Sequence, residues 1–125
     1  MEKSAMNSLA IVGAGGFVGS RLVETLVLEG KKDFCAVVRG YHSHAKFCRF
    51  GQAVSIRMAD ASDVDELVRA FKGFQVVVNL VSGEAGNISR STEAIYQACA
   101  DAGVKRLIHM SSAVVYGMVD SETIN

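Results

Sequence analysis

Short apolar runs alternate with longer stretches of helical periodicity along this chain. Leu9-Ala10-Ile11-Val12 is the first run; with Ser8 it predicts a buried strand over 8–12 that stops at Gly13. From Phe17 to Glu29, the residues Val18, Leu22, Val23, Leu26 and Val27 fall on one wide stripe. That spacing predicts a helix ended by Gly30. Phe34 to Arg39 reads as the second strand, residues 42–50 as a short helix or loop, and Ala53 to Met58 as a weaker, alternating third strand. Ser62 stands where it could cap a helix in which Val64, Leu67, Val68 and Phe71 share a face, with Gly73 at its end. Gln75 to Val81 is the most β-branched stretch and predicts the fourth strand. A long helix follows over about 87–102, with Ile88, Ser91, Thr92, Ile95, Ala98, Cys99 and Ala102 facing inward. Arg106 to Met110 predicts a fifth strand, on which His109 reads as a packed core histidine.

Strands alternating with helices imply an α/β fold: a doubly wound parallel sheet of five strands, with helices on both faces. Right-handed crossovers favour the strand order 3-2-1-4-5, as one domain over residues 1–125. Half of the 125 residues are hydrophobic, 21% are charged and the formal net charge is zero. No basic field recruits nucleic acid or an anionic membrane, and the apolar runs fall far short of a membrane span. Residues 1–8 have no apolar core like that of a secretory signal. Cys35, Cys48 and Cys99 are odd in number and widely spaced, which fits reduced thiols in the cytoplasm.

The glycines between the first strand and first helix carry the chemistry. Strand, glycine turn and helix present backbone N–H groups and a helix N-terminus to a phosphate, which predicts a dinucleotide site. The common Gly-x-Gly-x-x-Gly/Ala register would use Gly13, Gly15 and position 18, but position 18 is Val18. Gly13, Gly16 and Gly19 give Gly-x-x-Gly-x-x-Gly instead. In that register Gly13 makes the turn, Gly16 admits the pyrophosphate and Gly19 lets the helix approach the strand. Glycine turns that serve packing alone have the same appearance.

Further motifs follow in order. Val37-Val38-Arg39 ends the second strand, Asp60-Ala61 follows the third, and Asn79-Leu80-Val81-Ser82 ends the fourth. Residues 102–117 run Ala-Gly-Val-Lys-Arg-Leu-Ile-His-Met-Ser-Ser-Ala-Val-Val-Tyr-Gly. Over residues 8–117 the chain resembles the extended short-chain dehydrogenase/reductase superfamily, the NAD-dependent epimerase/dehydratase group. The resemblance implies a pyrophosphate loop at Gly13, Gly16, Phe17 and Val18, adenine contacts at Asp60 and Ala61, and a ribose-side wall at Leu80, Val81 and Ser82. It also implies a catalytic serine at Ser112 that binds the substrate's reacting oxygen. Arg39 stands where NAD-preferring members carry a carboxylate; a guanidinium there can clamp a 2′-phosphate, so NADP is expected over NAD. A plain solvated arginine is the alternative. For Asp60 the alternative is a role in the first turn of the helix that follows.

The pattern departs from the family at one point. The family's catalytic tyrosine has a lysine four residues later, whereas here Tyr41, Tyr96 and Tyr116 lead to Ala45, Ala100 and Asp120. The expectation is a truncated N-terminal, cofactor-binding part, inactive alone, of an oxidoreductase, epimerase or dehydratase. The parent would act by hydride transfer on a small hydroxy or keto substrate such as a nucleotide sugar. A non-catalytic NAD(P)-binding or redox-sensing module is the alternative; a methyltransferase-like nucleotide binder fits the serine motif less well. His42, His44, Cys48 and Cys35 lack a standard zinc spacing, so no metal site is assigned. Small residues Ser91, Ala94, Ala98 and Ala102 make the helix over 87–102 a candidate homodimer surface.

Overall fold

Five strands of four or five residues form one parallel sheet in a computed structural model that describes residues 8–82 and 85–110. They are β1 (Leu9–Val12), β2 (Phe34–Val38), β3 (Ser55–Met58), β4 (Val76–Asn79) and β5 (Arg106–His109). Their order is β3-β2-β1-β4-β5, as the apolar pattern predicts. The helices are α1 (Phe17–Leu28), α2 (Tyr41–Lys46), α3 (Val64–Phe71) and α4 (Ala85–Ala102), with a 3-10 segment over Cys48–Ala53.

Strand alternation divides the core into two layers. Ala10 and Val12 of β1 point with Cys35, Val37 and Val77 towards α3 and α4, where they meet Leu67, Phe71, Ile95 and Ala98. Ile11 points the other way, with Ala36, Val38 and Val78, against Val23 of α1 and Phe47. β2 is buried at all five positions because it has a strand on each side and a helix layer on each face. Burial pushes the Cys35 thiol up to about 12, against the opposing pull of Arg57, and the Cys99 thiol up to about 11.

Local chemistry corrects several details. Asp63, not Ser62, caps α3: its Oδ1 accepts from the Glu66 N–H at 3.1 Å. Ser62 is taken by its neighbour, donating its N–H and its hydroxyl to Asp60 Oδ1 at 2.9 and 2.7 Å. Asp60 therefore acts in a turn before the helix rather than in its first turn. His109 is exposed rather than packed in the core, because β5 is an edge strand with one half-buried residue. α4 begins at Ala85, two residues before the expected start, and β3 begins two residues late because the 3-10 segment takes Ala53. Val18 lies outside the buried stripe of α1 and is exposed. Ser91, Ala94 and Ala98 of α4 are buried within the chain.

Candidate functional site

Strand register brings the functional loops to one level. Val12 pairs with Val37 on one side and Asn79 on the other, and Asn79 pairs with His109. The loops after β1 and β4 leave towards opposite helix layers. Between them, at the carboxyl ends of the strands, a crevice of about 440 Å³ opens. Gly13, Gly16, Arg39, Asp60, Ala61, Leu80, Val81 and Ser82 all line it.

The glycine turn is shaped by backbone contacts. Gly13 has φ +79°, and a Cβ there would stand 2.8 Å from Leu80 C and Val81 N. Only glycine combines that conformation with so close an approach between the two loops. The Gly16 N–H donates to Gly13 O at 3.1 Å and closes the turn. At Gly19 a Cβ would collide with Gly13 O and stand 2.7 Å from Ala14 Cα, so the missing side chain lets α1 press on the turn. Gly16, the N-cap of α1, makes no side-chain cap bond, and the first turn holds no acidic residue. A helix start leaves its first N–H groups without intrahelical acceptors; here they belong to Phe17, Val18 and Gly19. The Phe17 and Val18 side chains are exposed and outside the crevice lining, so these residues can serve a phosphate only through their backbone. An uncapped helix start, a turn with three glycines and a first helical turn without acids fit a pyrophosphate.

α2 covers the turn from outside. Lys46 Nζ donates to Gly15 O at 2.8 Å, and a Cβ on Gly15 would stand 2.7 Å from Ser43 Cβ. Gly15 therefore has a packing reason of its own, beyond the 13-16-19 register. Ser43 joins the crevice lining.

At the β2–β3 side, Arg39 is exposed at the rim. The two Ser62 hydrogen bonds hold the Asp60 carboxyl below its ordinary value, with a smaller contribution from the Arg39 charge. Asp60 N–H donates to Glu66 Oε1 at 3.2 Å, which fixes the turn against α3. One Asp60 oxygen is thus engaged, and the carboxylate stays ionised and able to accept from an amine.

On the other side, Asn79 is 2% exposed and organises the floor. Its Oδ1 accepts from the Val81 N–H at 3.0 Å, and its backbone oxygen accepts from the Met110 N–H at 3.1 Å. Its Nδ2 lies 3.0 Å from His109 Nδ1. An amide nitrogen only donates, so this bond assigns the His109 proton to Nε2. The wall above is made by Asn87, Arg90 and Ser91 of α4.

Asn87, Arg90, Ser91, Ser43 and Lys46 are contributions that strand-end motifs do not reveal. Asn87 and Arg90 belong to a helix, where periodicity assigns polar residues to solvent, whereas Ser91 falls on its inward face and Ser43 and Lys46 on a short helix without clear periodicity. Ser112 and Tyr116 lie outside the described residues. Among the described residues no three His, Cys, Asp or Glu side chains converge to hold a metal; His44 Nδ1 and Cys48 Sγ lie 3.9 Å apart, while Cys35 is buried in the sheet. Also among these residues, no helix is long and apolar enough to cross a membrane. A second hollow of about 450 Å³, beside Lys31, Lys32 and Phe34, lies at the opposite end of the strands.

Comparison with known proteins agrees with this geometry. A family model described as NAD(P)H-binding matches residues 13–124, starting on the glycine turn. A curated relative from Escherichia coli O157:H7, N-acetyl-alpha-D-glucosaminyl-diphospho-ditrans,octacis-undecaprenol 4-epimerase, is 27% identical over 122 residues, 90% of this chain. The chain spans about a third, 34%, of that relative's length. Among solved structures, an Escherichia coli NADPH-dependent quinone oxidoreductase complexed with NADPH superposes with a TM-score of 0.71 at 26% identity. That match covers 82% of this chain and 36% of the other. A nucleoside-diphosphate-sugar epimerase from Staphylococcus aureus gives 0.72 at 26% identity, covering 82% and 37%.

Proposed function

The chain belongs to the NAD(P)H-binding family, and from that premise we propose that its crevice holds NADP(H) in preference to NAD(H). It would serve as the cofactor-binding part of a cytoplasmic oxidoreductase, epimerase or dehydratase. The observation that carries this reading is the pairing of an uncapped α1 start over the Gly13–Gly16 turn with Arg39 at the end of β2. The helix start takes the pyrophosphate. Asp60 and Ala61 take the adenine edge, the carboxylate accepting from the amine and the Ala61 N–H donating to a ring nitrogen. Leu80, Val81 and Ser82 form the wall beside the ribose. Arg39 meets a 2′-phosphate as a planar, permanently charged donor, where a carboxylate would be needed to accept from ribose hydroxyls. A bound nicotinamide supplies or accepts a hydride. The substrate is a small hydroxy or keto compound, and the two sugar-diphosphate epimerases among its relatives favour a nucleotide sugar or similar sugar diphosphate. Ser112 would hold the substrate's reacting oxygen.

Titration of the protein with NADPH and NADH tests the reading. NADPH binds about tenfold or more tightly, as one charge-assisted phosphate contact of ~1.5–3 kcal/mol requires. Arg39→Ala abolishes the difference and leaves NADH affinity unchanged. Equal affinities in the unaltered protein, or tighter NADH, refute the NADP preference.

A further inference from the structure

Arg90 brings a positive charge to the crevice from the side opposite Arg39. It lies in the early part of α4 and lines the same space as Gly13, Gly15 and Gly16. Its guanidinium folds back along the helix start. One terminal nitrogen donates to Asn87 Oδ1, and the other lies 3.7 Å from where a Gly86 Cβ would stand. Asn87 is a neutral partner. Among the described residues the ion pair formed is Arg49 with Glu24, so no described carboxylate neutralises Arg90. Arg39, by contrast, stands near enough to Asp60 to lower its proton affinity. A long cationic side chain that lines a crevice, with no described carboxylate paired to it, is complementary to an anion.

We propose that Arg90 is a second clamp on the dinucleotide's pyrophosphate, acting from the α4 wall while the glycine turn acts from the other. The proposal rests on the dinucleotide reading of the crevice. Placement selects the pyrophosphate over the 2′-phosphate. Arg39, Asp60 and Ser62 occupy the β2–β3 side, where the adenosine end belongs. Arg90 follows Leu80 and Val81 in the chain, and the backbone of those residues abuts the Gly13 turn itself. The hydrogen bond to Asn87 fixes one edge of the guanidinium and leaves its remaining donors for phosphate oxygens. A planar fork suits two oxygens on adjacent phosphates better than an ammonium does.

Calorimetric titration with three probes separates the two arginines. ADP-ribose has the pyrophosphate without a 2′-phosphate, adenosine 2′-monophosphate has the reverse, and NADPH has both. Arg90→Ala weakens ADP-ribose and NADPH about tenfold and leaves adenosine 2′-monophosphate unchanged. Arg90→Lys recovers part of that loss. Arg39→Ala weakens adenosine 2′-monophosphate and NADPH but not ADP-ribose. Thermal melting of each variant, matched to the unaltered protein, shows that the fold is kept. If the unaltered protein binds none of the probes, the dinucleotide reading falls and the clamp with it. If it binds them and Arg90→Ala does so equally well, or loses all three alike, the clamp alone is overturned.

Discussion

Gly19 positions α1 by what it lacks. Its Cβ would meet Gly13 O and Ala14 Cα, both backbone atoms that cannot swing aside, whereas a Cβ on Gly16 would stand 3.4 Å from Gly13 O. Gly19→Ala therefore destabilises the fold by ~1–3 kcal/mol through overpacking. Gly16→Ala costs less stability yet weakens NADPH binding, because its methyl group would lie on the phosphate approach proposed above. Urea unfolding and NADPH titration of both variants check this ordering. The thiols make a second residue-scale prediction. Cys48 is exposed and reacts with a thiol reagent in the native protein, whereas buried Cys35 and Cys99 react only on unfolding. Their folded values of about 12 and 11 exceed the ordinary 9.0. As pH rises past 9, the unfolded chain loses these protons first, so stability falls between pH 9 and the folded values. Denaturation midpoints across that range report it. At this scale the sequence makes the Gly13-Gly16-Gly19 turn legible, and Gly13 and Gly19 each have a steric reason of their own. It does not choose between Ser62 and Asp63 as a cap, since both residue types cap helices; Asp60 decides by capturing Ser62.

α4 illustrates what helical periodicity resolves and what it misses. The spacing of Ile95, Ala98 and Cys99 marks the face that packs on α3 and the sheet, and all three are buried there. Ile95→Ala costs ~2–5 kcal/mol by leaving a cavity between two helices and β1. Tyr96→Ala, one position on but 70% exposed, changes stability by ~0.5 kcal/mol or less. Chemical denaturation of the pair tests the assigned face. The same periodicity places Asn87 and Arg90 on a solvent side, yet there the helix start overlooks the crevice. A wheel records which residues share a face, not what that face overlooks. β5 shows a related limit: its apolar run alone suggests a buried strand, whereas the strand order, which puts β5 at the edge, accounts for the exposure of His109.

The strand order itself was readable because few topologies remain once five apolar runs alternate with helices and crossovers are right-handed. That order puts the β1 and β4 loops on opposite faces and creates the crevice without any particular side chain. The crevice is lined by the glycine turn at the uncapped helix start, by Arg39 after β2 and by Arg90 of α4, the groups that the proposed reading assigns to a dinucleotide. The most direct test is to follow backbone amide resonances of isotope-labelled protein during NADPH titration. NADPH shifts the amides of Gly13, Gly16, Phe17, Val18, Arg39, Ala61 and Val81, and leaves Lys31 to Phe34 at the opposite end of the sheet unmoved. Unchanged spectra, or shifts centred on Lys31 to Phe34, would contradict the account.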